Sequence, residues 1–498
     1  MNRFHQSLVL SAADRYGSLV LLLGSMAILS RLLTPQEFGV YSIISALMAL
    51  ATTLREFGGA NYLIQKPALS EDCIRSAFTI TFLICCLLAA GFFAASSLVA
   101  SFFGEEGLRE GVAVSALNFF LVPFSITMSA LFRREMAFEA IAVSSLSANF
   151  VMALTSVGLA TLGFSFMGPV WGAVAGNLTM TVAFLAYRRN IGIFRPSARG
   201  WREVVSFGLY SSGTVIINVL YQWSPQLILG RVANLAAVGL YGRAVNITQI
   251  FDRLVLNVLD PVILPAIAAE ARTGRQLKPT YLLAVELLAA LHWPCLLVVA
   301  LLADPIVRIL FGSQWVDAVI LVRMLALASL SLFAACLTYP VLVSTGRVRD
   351  TLTASLISVP PSLLVMVVAS FFGIQAVAAS AFLTLPLQAG TAFLFVCRRI
   401  DLGIADLAAA LWKSAIVAAT TMLGVALIVG INGFSLTFSN SAFVAAALLA
   451  LVGWCLGLVM TRHPLLAKLM LALNSDRLIG RRLAEFRSLR SRARTAQP

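Results

Sequence analysis

Apolar residues run through this chain in long blocks of about twenty, divided by short polar connections. Fourteen blocks stand out, near 11–31, 39–61, 76–101, 112–132, 141–162, 169–187, 205–229, 237–262, 282–303, 318–343, 352–372, 376–397, 408–431 and 441–461. About 20 mostly apolar residues cross a bilayer core as a helix. Only helices and closed barrels satisfy their backbone in lipid, and barrel strands alternate apolar and polar residues, which these blocks do not. The pattern predicts an all-α polytopic membrane protein of about fourteen transmembrane helices. Met1–Leu10 carries one arginine and leads into the first block without a small-residue cleavage site, so it reads as part of a first span and not as a removed signal peptide.

Polar residues inside the blocks are few and ordered. In the eighth, Arg243, Asn246, Gln249, Arg253, Asn257 and Asp260 follow at spacings of three or four, which puts them on one helix face. The seventh carries Ser211, Thr214, Asn218, Gln222 and Gln226; the first has Asp14, Arg15 and Ser18; the second has Arg55 and Glu56. A charged residue at the centre of a lipid-facing helix costs about 2.5–3.5 kcal/mol on insertion scales. These faces are therefore expected to see protein or water. One reading makes Arg15, Arg55, Arg243 and Arg253, with Asn218, Gln222, Asn246, Gln249 and Asn257, the lining of a cavity. Arginine's planar fork suits phosphate and keeps its charge, so such a cavity would take an anion such as a sugar diphosphate. Asp252, Asp260 and Glu286 are the acids left to couple a proton or Na+ gradient. In the other reading, Arg55–Glu56 and Asp252–Arg253 pair with neighbouring helices and lock packing.

The chain also repeats. Arg31, Gly39 and Tyr41 match Arg231, Gly239 and Tyr241 at an offset of 200. FFGEEGLREGV near 102–112 resembles LFGSQWVDAVI near 310–320, and YRRNIGI at 187–193 resembles CRRIDLGI at 397–404. Two parallel six-helix repeats are expected, an N-lobe at 1–197 and a C-lobe at 198–405, around a central cavity. Spans 13 and 14 (406–461) lie outside the repeat, and 462–498 forms a tail. Ile479, Leu483, Phe486 and Leu489, set among Arg477, Arg481, Arg482, Arg487 and Arg490, give that tail the pattern of a basic amphipathic helix on an anionic leaflet.

Composition agrees: 60% of the 498 residues are hydrophobic and 12% charged, with mean hydropathy +0.92, against about 25% charged in soluble proteins. The net charge is +14. With the N-terminus in the cytoplasm, twenty-six Lys and Arg fall on inner segments and four (Arg31, Arg109, Arg231 and Arg308) on outer ones, a strong positive-inside bias that puts both termini inside. Cations spread over so many loops do not make a nucleic-acid site. Seven scattered cysteines and three histidines offer no metal or catalytic cluster. No catalytic residue, metal or organic cofactor is expected.

At SRLLTPQEFGVYSI (Ser30–Ile43) and LREFGGANYLIQK (54–66) the chain resembles the polysaccharide-exporter branch of the multidrug/oligosaccharidyl-lipid/polysaccharide (MOP) superfamily, and within it the Wzx-type flippases of the colanic-acid and succinoglycan kind. The second half lacks the Thr-Pro element, having Asn234-Leu235. The resemblance implies a multi-pass protein of the bacterial inner membrane that flips undecaprenyl-diphosphate-linked repeat units to the periplasmic leaflet. It implies a lipid-linked oligosaccharide substrate, membrane lipids and the polysaccharide polymerase and chain-length proteins as partners, and arginines of the first, second and eighth spans on the diphosphate. It also implies a groove for the lipid tail at spans 13 and 14, where Lys413 is the internal cation. A cation-coupled drug or small-molecule exporter of the same superfamily is the alternative; fourteen spans and four candidate arginines speak against it. A membrane polymerase or glycosyltransferase would need a larger outer loop or soluble segment than the connections allow.

Overall fold

The computed structural model describes residues 3–55, 60–66, 69–188, 191–197, 201–250, 270, 277–334 and 337–470, and every regular element among them is helical. We number the helices α1 (Arg3–Leu32), α2 (Pro35–Arg55), α3 (Ala60–Gln65), α4 (Glu71–Phe103), α5 (Gly107–Ser115), α6 (Leu117–Arg134), α7 (Phe138–Leu159), α8 (Met167–Tyr187), α9 (Trp201–Val232), α10 (Leu235–Thr248), α11 (Leu277–Leu301), α12 (Ala303–Leu310), α13 (Ala318–Ser329), α14 (Thr338–Ser344), α15 (Val348–Ser370), α16 (Ile374–Ile400), α17 (Ile404–Ile431) and α18 (Asn440–Met460). Ten stretches among the described residues are long and apolar enough to cross a bilayer. Among the described residues helix also lies within the other four predicted spans, as α1, α9, α10 (which reaches Thr248; 251–262 lie outside the described residues) and the α13–α14 pair.

The second predicted span, 39–61, is described as α2 to Arg55 and α3 from Ala60, with 56–59 outside the described residues. The tenth, 318–343, is broken by a 3-10 turn at Leu330–Ala334, where the Ser331 hydroxyl donates to the Ala328 carbonyl and competes with the helical ladder.

The chain forms two compact units. The first takes in Met1–Ile247, Ile306–Leu325 and Arg349–Thr391. Within it, α7 and α8 pack through Gly168, Gly172 and Gly176, set four apart; a Cβ at Gly172 would lie 2.0 Å from Ser156 Oγ. Lipid tails are as apolar as leucine, so close approach of small residues, and not hydrophobicity, drives such pairing. Amide side chains add hydrogen bonds: half-buried Asn177 Nδ2 donates to buried Asn118 Oδ1 at 2.7 Å, and Asn149 Nδ2 donates to Ser18 Oγ at 2.8 Å. At one end, Arg188 pairs with Glu135 at 2.6 Å and Arg75 Nε donates to Gly192 O at 3.1 Å, tying down the connection after α8.

The second unit takes in Thr248–Pro305, Ala326–Val348 and Ala392–Pro498. Here α17 and α18 form a hairpin whose faces meet at Gly424, Gly453 and Gly457. A Cβ at Gly453 would stand 2.4 Å from Thr420 O, and one at Gly457 2.3 Å from Thr420 Oγ1. The hairpin is attached to α11 by two hydrogen bonds: Trp454 Nε1 donates to Ala290 O at 2.9 Å and Ser414 Oγ donates to Glu286 O at 2.9 Å. Around them Ala290, Val417, Leu458 and Leu465 form a buried apolar cluster.

Candidate functional site

Two helices that begin with matching sequence cross in the first unit. A Cβ placed on Gly39 of α2 would lie 1.8 Å from the carbonyl oxygen of Leu235, at the start of α10; one placed on Gly239 of α10 would lie 2.0 Å from that of Pro35, at the start of α2. Residues 35 and 235 are themselves related by the offset of 200, so the contact is reciprocal, as between two copies of one motif about a two-fold axis. A second pair follows the same rule. Arg31 donates to Ile309 O at 3.0 Å, at the end of α12, while the Arg231 guanidinium stands 5.3 Å from the Phe102 ring, at the end of α4. Gly104 and Gly312, which follow those two helices, both have positive φ (71° and 98°), a conformation that glycine adopts at no steric cost. The crossing is further held by Trp315 Nε1 donating to Ser30 O at 2.7 Å and Gln314 Nε2 donating to Leu33 O at 3.0 Å. At the start of α2, Glu37 accepts from the Thr34 amide at 2.7 Å and from the Thr34 hydroxyl at 2.9 Å. It also accepts from the Ser165 hydroxyl.

Arg243, one residue beyond Gly242 on α10, does not face an open space. It is 2% exposed, and its guanidinium carbon sits 3.6 Å from the Phe38 ring centroid, 5.0 Å from Phe311 and 5.2 Å from Trp315. Its Nε has no hydrogen-bond partner. A desolvated cation–π contact returns about 2 kcal/mol or more, against an effective burial penalty of several kcal/mol for an ion. The aromatic rings therefore offset the cost of this charge only in part.

The remaining sequence candidates are distributed as follows. Arg55 is the half-buried last residue of α2, one turn from Ala51 of the buried cluster with Cys85, Ala89 and Phe119. Arg15 lies in α1, with its side chain outside the described residues; beside it Asp14 accepts from Ser18 Oγ at 3.3 Å. Asn218 is exposed and accepts from Ser355 Oγ at 3.2 Å; Gln222 is exposed, and Asn246 and Gln249 are half-buried. Asp252, Arg253, Asn257 and Asp260 lie outside the described residues, as does the tail from 471. The first unit thus brings Arg243 to the crossing and leaves Arg55 at the other end of α2.

Glu286, read from sequence as one of three acids left to couple an ion gradient, lies in a polar cluster of the second unit. His463, just past α18, places Nε2 3.2 Å from Ser414 Oγ and 3.8 Å from the Glu286 carboxylate. Its Nδ1 accepts from the Leu465 amide at 3.1 Å. An imidazole that accepts at Nδ1 carries its proton on Nε2, and this proton points at Ser414, whose own hydroxyl is committed to Glu286 O. The cluster needs neutral histidine. Burial, with Lys413 nearby, holds His463 down to about 4 from the ordinary 6.5. Protonation therefore favours the unfolded chain: this contribution to stability is complete above pH 6.5 and is lost as pH falls toward 4. The thermal midpoint of the detergent-purified protein should drop between about pH 7.5 and about pH 5, and His463→Asn should flatten that drop. An equal drop in the variant would assign the acid sensitivity elsewhere. Beside the cluster, Trp293, Leu297, Leu330, Ser331, Ala415, Ala418 and Ala419 line an apolar groove of about 510 Å³. Among the described residues no group of three or more His, Cys, Asp or Glu could hold a metal ion.

A family model described as polysaccharide biosynthesis protein matches residues 28–320, more than half of the chain. The chain belongs to that family. The match starts before the α2 crossing and ends just past Trp315, so both glycines and the whole aromatic cage fall inside it. Relatives include the lipopolysaccharide biosynthesis protein WzxC of Escherichia coli, 22% identical over 312 residues, or 61% of this chain and 62% of that one. The succinoglycan biosynthesis transport protein ExoT of Rhizobium meliloti is 23% identical over 345 residues, 68% of each chain. The chain thus spans a little under two thirds of WzxC. Among solved structures, the lipid II flippase MurJ in an inward closed conformation superposes with a TM-score of 0.71 at 10% identity, covering 91% of this chain and 99% of that one. An inward-facing MATE family transporter of the MOP superfamily gives 0.63 at 14% identity, covering 77% and 94%. The described residues of this polysaccharide biosynthesis family member share the helical fold of these two transporters.

Sequence reasoning missed the cage and the Ser414–His463 pair. The signal for the cage was present, because Phe311 and Trp315 lie in the LFGSQW repeat landmark; its link to Arg243 was not.

Proposed function

We propose that this protein carries undecaprenyl-diphosphate-linked exopolysaccharide repeat units from the cytoplasmic to the periplasmic leaflet of a bacterial inner membrane by alternating access. It works as a transporter and not as an enzyme. The observation that carries the reading is the alignment with a succinoglycan transport protein over 68% of both chains, within a family whose description is polysaccharide biosynthesis. The MurJ-like fold supports it, since MurJ is a lipid II flippase. So does the reciprocal crossing of α2 and α10, which is what two matched lobes, at 1–197 and 198–405, would form at a shared axis.

In this reading Arg15, Arg55, Arg243 and Arg253 serve the diphosphate, and Asn218, Gln222, Asn246, Gln249 and Asn257 serve the sugars. The apolar groove of the second unit beside α17 suits a polyprenyl chain. Asp252, Asp260 and Glu286 couple the cycle to a proton or Na+ gradient, both termini are cytoplasmic, and the polymerase and chain-length proteins receive the product.

A strain deleted for the gene is expected to accumulate the lipid-linked repeat unit on the cytoplasmic face and to export no polymer. Purified protein in vesicles should then expose that lipid to an external glycosidase or lectin. A deletion strain with normal polymer, or vesicles that extrude cationic dyes and leave the lipid unmoved, would overturn the proposal; the second result would favour the drug-exporter reading.

A further inference from the structure

Arg243 is out of keeping with its surroundings. It is 2% exposed, its Nε lacks a hydrogen-bond partner, and among the described residues no carboxylate lies within salt-bridge distance of it. Aromatic faces from three places in the chain enclose it: Phe38 on α2, Phe311 after α12, and Trp315. Packing does not require a charge here. The internal repeat supplies the comparison, because position 43 corresponds to 243 at the offset of 200. Ile43 stands there, 0% exposed, and its Cδ1 lies beside Gly230 near the Phe103 ring. An aliphatic side chain therefore fills the equivalent place in the other half. Among the described residues this buried ion has no counter-ion, and an apolar replacement of similar volume for such a group is often neutral or better. The arginine thus strains the state seen here, which suggests that it acts in another one.

We propose that Arg243 is a state-dependent anion ligand. Its cage closes only while α2 and α10 are crossed at Gly39 and Gly239, because Phe38 sits one residue before Gly39 and Arg243 four after Gly239. When the helices part, Phe38 leaves and the guanidinium is free to hold a phosphate-bearing headgroup. Cage and anion then compete for one group. A bound anion holds the crossing open, and its departure lets the crossing close; by linkage, closing weakens the anion to the same degree. This deepens the proposed function and rests on a passage that admits a diphosphate.

The test uses the full-length protein in detergent, with its seven native cysteines replaced and Ser42→Cys added as a reporter. Ser42 is 5% exposed, and its hydroxyl lies 3.4 Å from where a Cβ on Gly242 would be. Sodium pyrophosphate at millimolar concentration is expected to raise the rate of thiol labelling several-fold with Arg243 present. Arg243→Met should label several-fold more slowly than its parent, melt at a higher temperature and ignore pyrophosphate. Phe38→Leu, which opens the cage from the other side, should label faster and keep the pyrophosphate response. An Arg243→Met protein that melts lower, or that responds to pyrophosphate as its parent does, overturns the inference and makes Arg243 a packing residue. Normal lipid translocation by Arg243→Met in vesicles also overturns it while leaving the proposed function standing. An Arg243-dependent pyrophosphate response in a protein that moves no lipid-linked oligosaccharide would keep the ligand and reject the proposed cargo.

Discussion

Gly39→Ala is expected to cut translocation of the lipid-linked repeat unit at least tenfold, and Gly239→Ala to do the same. The added methyl at position 39 would stand 1.8 Å from a backbone carbonyl oxygen, and at position 239, 2.0 Å. Backbone atoms cannot rotate aside as a side chain can. Ordinary contact begins near 3.4 Å, so α2 and α10 must move apart by more than an ångström. Overpacking of this kind costs about 1–3 kcal/mol, and here the whole cost falls on the crossed state. Because both substitutions wedge the same crossing, they should not add: the double variant is expected to be little worse than either single one. Gly242→Ala is the control. Its methyl would meet Ser42 Oγ at 3.4 Å and Phe38 at 3.5 Å, which is ordinary contact, and it should translocate near the parental rate. Translocation measured in vesicles for all four variants decides the matter. Equal losses from Gly242→Ala and Gly39→Ala would mean that helix propensity, and not the crossing, sets the effect.

Arg55→Ala should be the next most damaging change. If its guanidinium serves a diphosphate, it contributes a charge-assisted hydrogen bond of about 1.5–3 kcal/mol, and its loss lowers turnover by roughly 10- to 150-fold. Arg55→Lys keeps the charge but not the paired donors, so it should fall between parent and alanine. Arg253→Ala should behave like Arg55→Ala. The measurement is polymer export per unit of membrane protein, so that loss of folded protein is not mistaken for loss of function. Parental export from both alanine variants would remove the arginines from the substrate path.

The helices were largely legible because lipid imposes one simple demand, a run of apolar residues long enough to cross it. The break in the tenth span was less so. The turn at Leu330–Ala334 depends on a serine hydroxyl choosing its own helix carbonyl, which no periodicity announces. Gly39 and Gly239 could be seen to match, but only a backbone crossing explains why no side chain fits there. Arg243 and Asn246 both lie in α10, three residues apart. What surrounds Arg243 comes from remote segments, and a one-dimensional pattern cannot say that Phe38, Phe311 and Trp315 converge on it. The same holds for Glu286, which meets His463 and Ser414 only after α11, α17 and α18 have packed.

The α17–α18 hairpin is keyed to α11 at two heights, by Trp454 on Ala290 and Ser414 on Glu286. Sliding the hairpin by one helical turn, about 5.4 Å, would strand both donors inside the bilayer. Bilayers of different thickness ask a helix to slide, tilt or deform the lipid, and for these three helices sliding is closed. They must lean as one plate, so a thinner membrane should change the angle of the whole trio and leave its internal register untouched.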